Sequence, residues 1–235
     1  MKRIVSLLSL LVLVANAHAS EARFIDVGHL NAEQLLAPPA APGSDASRSE
    51  LATLHQIQNS RSSAAIARAQ NDEALKSIFL YQNVLGEQFK PENLPLTAKF
   101  SRRIRKDVRR GTAVAKTYFH RIRPYNVDKT LAPVCEIKTV DNSYPSEHST
   151  LGYVYALVLT EMMPEQRAAI LARADEYASN RLLCGAHFPS DVAAGKRLAH
   201  AIYNEMDGNP RFQRSLTAAR RELRIAYGLP ALPSK

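Results

Sequence analysis

The chain has 235 residues, 46% of them hydrophobic, and a formal net charge of +9. That length suits one domain with a substantial core, and beyond the N-terminal segment no apolar run approaches membrane-spanning length, which excludes a polytopic membrane protein. The basic excess favours anionic partners, whether phosphorylated metabolites, nucleotides, nucleic acid or lipid headgroups, and does not choose among them.

In chain order, Lys2 and Arg3 precede an apolar run, Ile4 to Val14, that ends in the small residues of Ala15-Asn16-Ala17-His18-Ala19. This is the pattern of a secretory signal peptide over residues 1–19, cut after Ala17 or, preferably, Ala19. The mature chain is therefore expected to be soluble, periplasmic or secreted, and free of the membrane. Losing Lys2 and Arg3 lowers its charge to +7. Residues 20–44 read as an extended tether, because Ala37-Pro38-Pro39-Ala40-Ala41-Pro42-Gly43 favours a polyproline-like course. Residues 45–235 then form the helical domain. Ser47 or Ser49 is expected to cap a helix to Asn59, Ser62 or Ser63 one through Ala69, and Asn71 or Asp72 one through Leu85. With no sustained period-two alternation and no internal repeat, the fold class is all-α.

Thr97 to Arg123 holds a basic helix with Phe100, Ile104 and Val108 along one side and Arg102, Arg103, Arg105, Lys106, Arg109 and Arg110 around the rest. Charge runs of this kind usually form the solvated face of a bundle helix. No aromatic residues interleave to make a single-strand stacking platform, so no specific nucleic-acid partner is expected. In Lys116-Thr-Tyr-Phe-His-Arg-Ile-Arg123-Pro124, seven residues on a helix bring Lys116 and Arg123 to one side, before Pro124 ends the segment. Two cations aimed at one spot suit the oxygens of a phosphoryl group.

Ser143-Tyr144-Pro145-Ser146-Glu147-His148 leads into Leu151–Met163, apolar nearly all round and hence a buried central helix. Its N-terminus offers a hydroxyl, backbone N–H groups and an imidazole where the helix dipole favours an anion. The third stretch, Asn180–Asp191, places Arg181, His187 and Asp191 where Gly185 and Pro189 interrupt the helical course. Asp191 can fold back on His187, fixing its tautomer and favouring its cationic form. Two cysteines, Cys135 and Cys184, make a disulfide the first expectation for an exported chain.

Together, Lys116-x6-Arg123-Pro124, Pro145-Ser146-x-His148 and Arg181-x5-His187-x3-Asp191 resemble the three-part signature of the type-2 phosphatidic acid phosphatase superfamily. More closely, the chain is similar to the secreted class A bacterial non-specific acid phosphatases over roughly residues 74–226. Glu147 stands where that family has glycine, and Asn180 where it has serine. The resemblance implies a single-domain helix bundle with the active site at one end and a tendency to homo-oligomers. It also implies roles: His187 as the nucleophile that forms a phosphohistidine, oriented by Asp191, and His148 as general acid. Lys116, Arg123, Arg181, Ser146 and the N–H groups of the Glu147–His148 turn would bind phosphate. Small phosphorylated substrates are the expected partners, with no cofactor and no metal, because three cations supply the electrostatics. Phosphotransfer to a competing alcohol is the accompanying expectation. A vanadium-dependent haloperoxidase shares the three elements, since vanadate mimics the phosphoryl transition state. A non-catalytic exported binder of phosphorylated ligands, with catalysis spoiled by Glu147, is a further alternative. For Glu147 itself, a carboxylate turned outward on the first helical turn and one turned inward towards the phosphate both remain open, the outward pose being the more economical.

Overall fold

The structure, a computed structural model, describes residues 23–135 and 139–233. The expected signal peptide lies outside these residues. The described chain is helical, with no strand among the described residues. Its helices are α1 (Ala32–Leu35), α2 (Asp45–Ser60), α3 (Ser63–Ala74), α4 (Gln82–Leu85), α5 (Pro95–Phe119), α6 (Pro124–Val127), α7 (Glu147–Met162), α8 (Arg167–Leu183), α9 (Pro189–Asp207) and α10 (Pro210–Ala226).

The apolar α7 is the axis of the bundle. Val154, Tyr155, Ala156, Val158 and Leu159 are fully buried, and α8, α9, α5 and α10 pack around it. Two glycines permit the closest approaches. A Cβ on Gly152 would stand 2.7 Å from the Tyr177 ring on α8, and one on Gly195 of α9 would stand 2.7 Å from the Ser146 carbonyl oxygen. Phe100, Ile104 and Val108 of α5 face inward while Arg102, Arg105, Lys106 and Arg109 face water, as expected for a solvated bundle face.

Two readings need correcting. The tether docks on the bundle: Phe24, Ile25, Leu30 and Leu36 are buried in the main core, and the Phe24 N–H donates to the buried Asp107 at 2.8 Å. Nor is it extended throughout, since a 3₁₀ turn, Val27–His29, and α1 lie within it; the proline pattern ignored these apolar residues, which bury surface as any others do. Asp72 does not start a helix. Helix α3 begins after its Ser62 cap and runs through Asn71 and Asp72 to Ala74. A 3₁₀ turn, Ile78–Tyr81, and α4 then carry the chain to Leu85. The reason is tertiary: Asp72 is buried in an ion pair with Arg173 and accepts from Asn180 at 2.7 Å.

No helix of the described residues is long and apolar enough to cross a membrane. A disulfide joins Cys135 to Cys184, 49 residues apart. It ties the loop ahead of α7 to the end of α8, a closure worth about 4 kcal/mol on a chain-entropy view.

Candidate active site

The three sequence elements converge at the N-terminal ends of α7 and α9. Helix α8 ends at Leu183, Gly185 takes a left-handed φ of 68°, and α9 restarts at Pro189. This break turns His187 into the protein interior, where it is 2% exposed. Asp191, at the third position of α9, reaches back so that its Oδ2 accepts the Phe188 N–H at 2.8 Å and lies 3.4 Å from His187 Nδ1. On the other side of the ring, Arg123 Nη1 approaches His187 Nε2 at 3.2 Å. A guanidinium can only donate, so Nε2 carries the lone pair and Nδ1 the proton. The ring is thus held in the tautomer that presents a nucleophilic Nε2.

The expected cationic His187 is not what the surroundings favour. Burial lowers its pKa to about 3. The Asp191 hydrogen bond and charge push upward, but not enough to offset burial and the charges of Arg123 and Lys116. An i,i+4 carboxylate could be read from the sequence, whereas the depth of burial could not. Asp191 itself stays ionised. Burial would raise its pKa, but the His187 hydrogen bond, the Arg121 charge and the Ser143 hydroxyl outweigh it and hold it below the ordinary carboxylate value.

The cation pair also needs a correction. Helix α5 stops at Phe119, with His120 in the left-handed region at φ 45°, so Arg123 is not on that helix at all. It is instead the N-cap of α6, with Pro124 at the first helical position. Lys116 and Arg123 nevertheless converge, through Asn142. The Asn142 backbone carbonyl accepts from Lys116 Nζ, while its Oδ1 accepts from Arg123 Nε at 3.1 Å and Nη2 at 2.9 Å. Arg123 Nη1 also donates to the Ala186 carbonyl at 2.8 Å. Burial, then the Arg123 charge, lowers the Lys116 pKa to about 8, with Glu147 and Asp191 pulling upward.

Ser146 caps α7. Its Oγ accepts from the Ser149 N–H at 3.3 Å and lies 2.9 Å from Ser149 Oγ. If the Ser149 hydroxyl donates in that pair, the Ser146 proton is free for a bound anion. The N–H groups of Glu147 and His148 open the first turn of α7, where no intrahelical acceptor exists. Glu147 is half-buried, and its side chain lines a cavity of about 350 Å³ with Arg109, Lys116, Thr117, His120, Asp141 and Asn142. That cavity includes Lys116 but not Arg123, His148, Arg181 or His187, and the Glu147 charge acts on the Lys116 ammonium.

Arg181 is 2% exposed and lies beside the disulfide, its Nη1 3.4 Å from Cys184 Sγ. It forms an ion pair with Glu73 of α3. His148 Nε2 is 3.3 Å from the Glu73 carbonyl oxygen and 3.7 Å from its carboxylate. Burial holds the His148 pKa well below its ordinary value. Arg181, Lys76 and His187 add to that, and the Glu73 backbone opposes it.

Sequence reasoning missed a second ring of residues. Arg121 donates to Asp191 Oδ1 at 2.6 Å, to Ser190 Oγ at 2.7 Å and to Glu50 Oε2 at 2.6 Å, while Ser143 Oγ donates to Asp191 Oδ2 at 2.5 Å. Arg121, Asn142 and Ser143 sit inside or beside the motifs, so proximity was a usable signal. Glu50 and Glu73 come from helices more than 40 residues upstream of Lys116 and carry no local mark.

A buried neutral imidazole whose Nε2 keeps its lone pair beside Arg123, three cations, a helix N-terminus and a second imidazole form a site that can bind a tetrahedral oxyanion and attack its centre. Residues 108–204 match the PAP2 superfamily model. An acid phosphatase of Zymomonas mobilis is 31% identical over 221 residues, covering 90% of this chain and 83% of the relative. Non-specific acid phosphatases of Salmonella typhimurium and Providencia stuartii are 34% and 37% identical over 151 and 117 residues. These alignments cover 61% and 48% of this chain, and 59% and 46% of the relatives. A solved transmembrane PAP2-type phosphatidylglycerolphosphate phosphatase from Bacillus subtilis aligns at 18% identity with a TM-score of 0.49, covering 71% of this chain and 87% of that one. The chain belongs to the acid phosphatases of the PAP2 superfamily.

Proposed function

We propose that the protein hydrolyses phosphomonoesters of broad specificity through a phosphohistidine on His187, without a metal, after export to the periplasm. That the reaction is phosphomonoester hydrolysis follows from the family. The observation that carries the mechanism is the His187 ring, with its Nδ1 on Asp191 and its Nε2 facing Arg123.

Nε2 attacks phosphorus and the bond to the alcohol oxygen breaks, while His148 gives that oxygen a proton. Water then attacks the phosphohistidine, returning a proton to His148 and releasing phosphate. Lys116, Arg123, Arg181, Ser146 and the first-turn N–H groups of α7 stabilise the equatorial oxygens. His148 is neutral in the empty site, so the dianionic substrate supplies the counter-charge under which it takes up its proton. An alcohol in place of water gives phosphotransfer. Association into homo-oligomers belongs to the same reading.

The test is rapid acid-free quenching of the enzyme with a labelled phosphomonoester. Labelled protein is expected from the wild type and none from His187→Ala. Turnover should survive a chelator and stop with orthovanadate. Label retained by His187→Ala, or activity lost to chelator and restored by a divalent ion, would overturn this mechanism.

A further inference from the structure

The mechanism gives the Glu73 carboxylate no task. Glu73 is the penultimate residue of α3, and its side chain reaches the site beside Arg181 and His148. Its placement is built in. On one side Asp72 is locked to α8 through Arg173, at 2.9 Å for Nη1, and through Asn180 at 2.7 Å. On the other, the Tyr177 hydroxyl donates to the Leu75 carbonyl at 2.5 Å. The end of α3 is therefore pinned to α8 on both sides of Glu73. This also gives Asn180 a task at the position where the family has serine.

Two consequences follow from the charge. Arg181 is almost fully buried and its Nη1 is ion-paired with Glu73 Oε2, so the carboxylate is its counter-ion in the empty site. A phosphoryl group arriving on Arg181 must share that guanidinium with Glu73, which weakens ground-state binding. The same carboxylate lies 3.7 Å from His148 Nε2, while the Glu73 carbonyl oxygen, at 3.3 Å, takes the proton of that nitrogen. Held this way, the ring offers Nδ1 as the atom that carries the transferable proton, and the nearby anion favours the imidazolium.

Resting on the phosphatase reading above, we propose that Glu73 is a positioning residue. It orients His148 and favours its protonated form for leaving-group protonation, at the expense of phosphate affinity at Arg181. The charged and titratable groups around His148 are Glu73 from the end of α3 and Lys76 just beyond it, Tyr177 and Arg181 from α8, His187 from the loop before α9, and its own neighbour Glu147. Only Glu73 and Glu147 among them are anions, and Glu147 faces the Lys116 cavity.

Glu73→Gln keeps the shape and removes the charge. With less stabilisation of the imidazolium, the alkaline limb of the kcat profile is expected to move down by about half to one pH unit. Rates with an alkyl phosphate should fall roughly tenfold more than with p-nitrophenyl phosphate, whose leaving group needs the proton least. Inorganic phosphate should inhibit several-fold more tightly, an effect that mere loosening of the fold would not produce. In a His148→Ala background the Gln substitution should no longer alter leaving-group dependence, because both changes act through one group. Should the Gln variant unfold, Glu73→Asp retains the charge at a shorter reach and is expected to show the same shifts in smaller measure. A wild type that fails to hydrolyse p-nitrophenyl phosphate would defeat the phosphatase reading itself. An active wild type whose Glu73 variants keep its kcat limb, its leaving-group dependence and its phosphate affinity, or that shows equal effects with and without His148, would overturn this inference alone.

Discussion

At the scale of single residues, the site is a contest between burial and charge. His187 is neutral because desolvation outweighs Asp191, and Asp191 is ionised because Arg121, Ser143 and His187 outweigh desolvation. Asp191→Asn should therefore leave the ring without its acceptor and lower kcat by about 10⁴-fold, as the same change does in a Ser-His-Asp triad. Ser143→Ala removes one hydrogen bond to a buried charge, worth about 1.5–3 kcal/mol. Its loss should appear in the denaturation midpoint as well as in kcat. Lys116 loses its charge as pH rises through about 8, so KM for a phosphomonoester should climb above that pH. Glu147 favours the Lys116 ammonium, and its own anion repels the substrate. Glu147→Gly is thus expected to raise kcat/KM below pH 7 and to start the climb in KM at lower pH. A fall in kcat/KM at every pH would show instead that the Glu147 carboxylate assists the substrate directly.

At the scale of elements, the site depends on how closely two helix N-termini approach. A Cβ on Gly195 would stand 2.7 Å from the Ser146 carbonyl and 2.9 Å from the Ser149 Cβ, both in the first turn of α7. Gly195→Ala should cost about 1–3 kcal/mol by overpacking. It should also lower kcat, since the same turn carries Ser146 and His148. Gly208→Ala, whose nearest neighbour would be 3.9 Å away, is the control and should do neither. The elements also show what the sequence made legible. The apolar α7, the Pro189 restart and the i,i+4 relation of His187 to Asp191 follow from local rules and stand in the structure as read. Lys116 and Arg123 do converge, but the reasoning that joined them on one helix fails at His120, where Asn142 takes over as the bridge. The docking of residues 24–36, the lock between Asp72 and Arg173 and the arrival of Glu50 and Glu73 are contacts across 80 to 140 residues in several cases. No local pattern encodes such pairings, so these parts were not legible.

At the scale of the whole molecule, the same buried groups set how stability answers to pH. In the folded protein His187 takes up its proton only near pH 3, whereas in the unfolded chain it does so near 6.5. Between these values the unfolded state binds the extra proton, so acidification favours unfolding, on the order of 1.4 kcal/mol per pH unit for one such group. His148, also depressed, acts in the same direction. So does Asp191, whose folded pKa lies below its unfolded value and whose contribution is lost as pH falls through it. Melting temperature should therefore drop steadily from pH 7 towards pH 4. His187→Asn, which cannot titrate, should show a shallower decline. A phosphate dianion or monoanion bound between Lys116, Arg123 and Arg181 gives both imidazoles a counter-charge. Added phosphate should flatten the wild-type curve more than potassium chloride at equal ionic strength, and this extra effect should weaken in His187→Asn. Thermal denaturation of the two proteins across that pH range, with each salt, tests whether His187 is the free base in the folded protein. Parallel curves for wild type and variant would mean that His187 is already protonated in the folded protein at neutral pH, and that burial does not keep it the free base that attack on phosphorus requires.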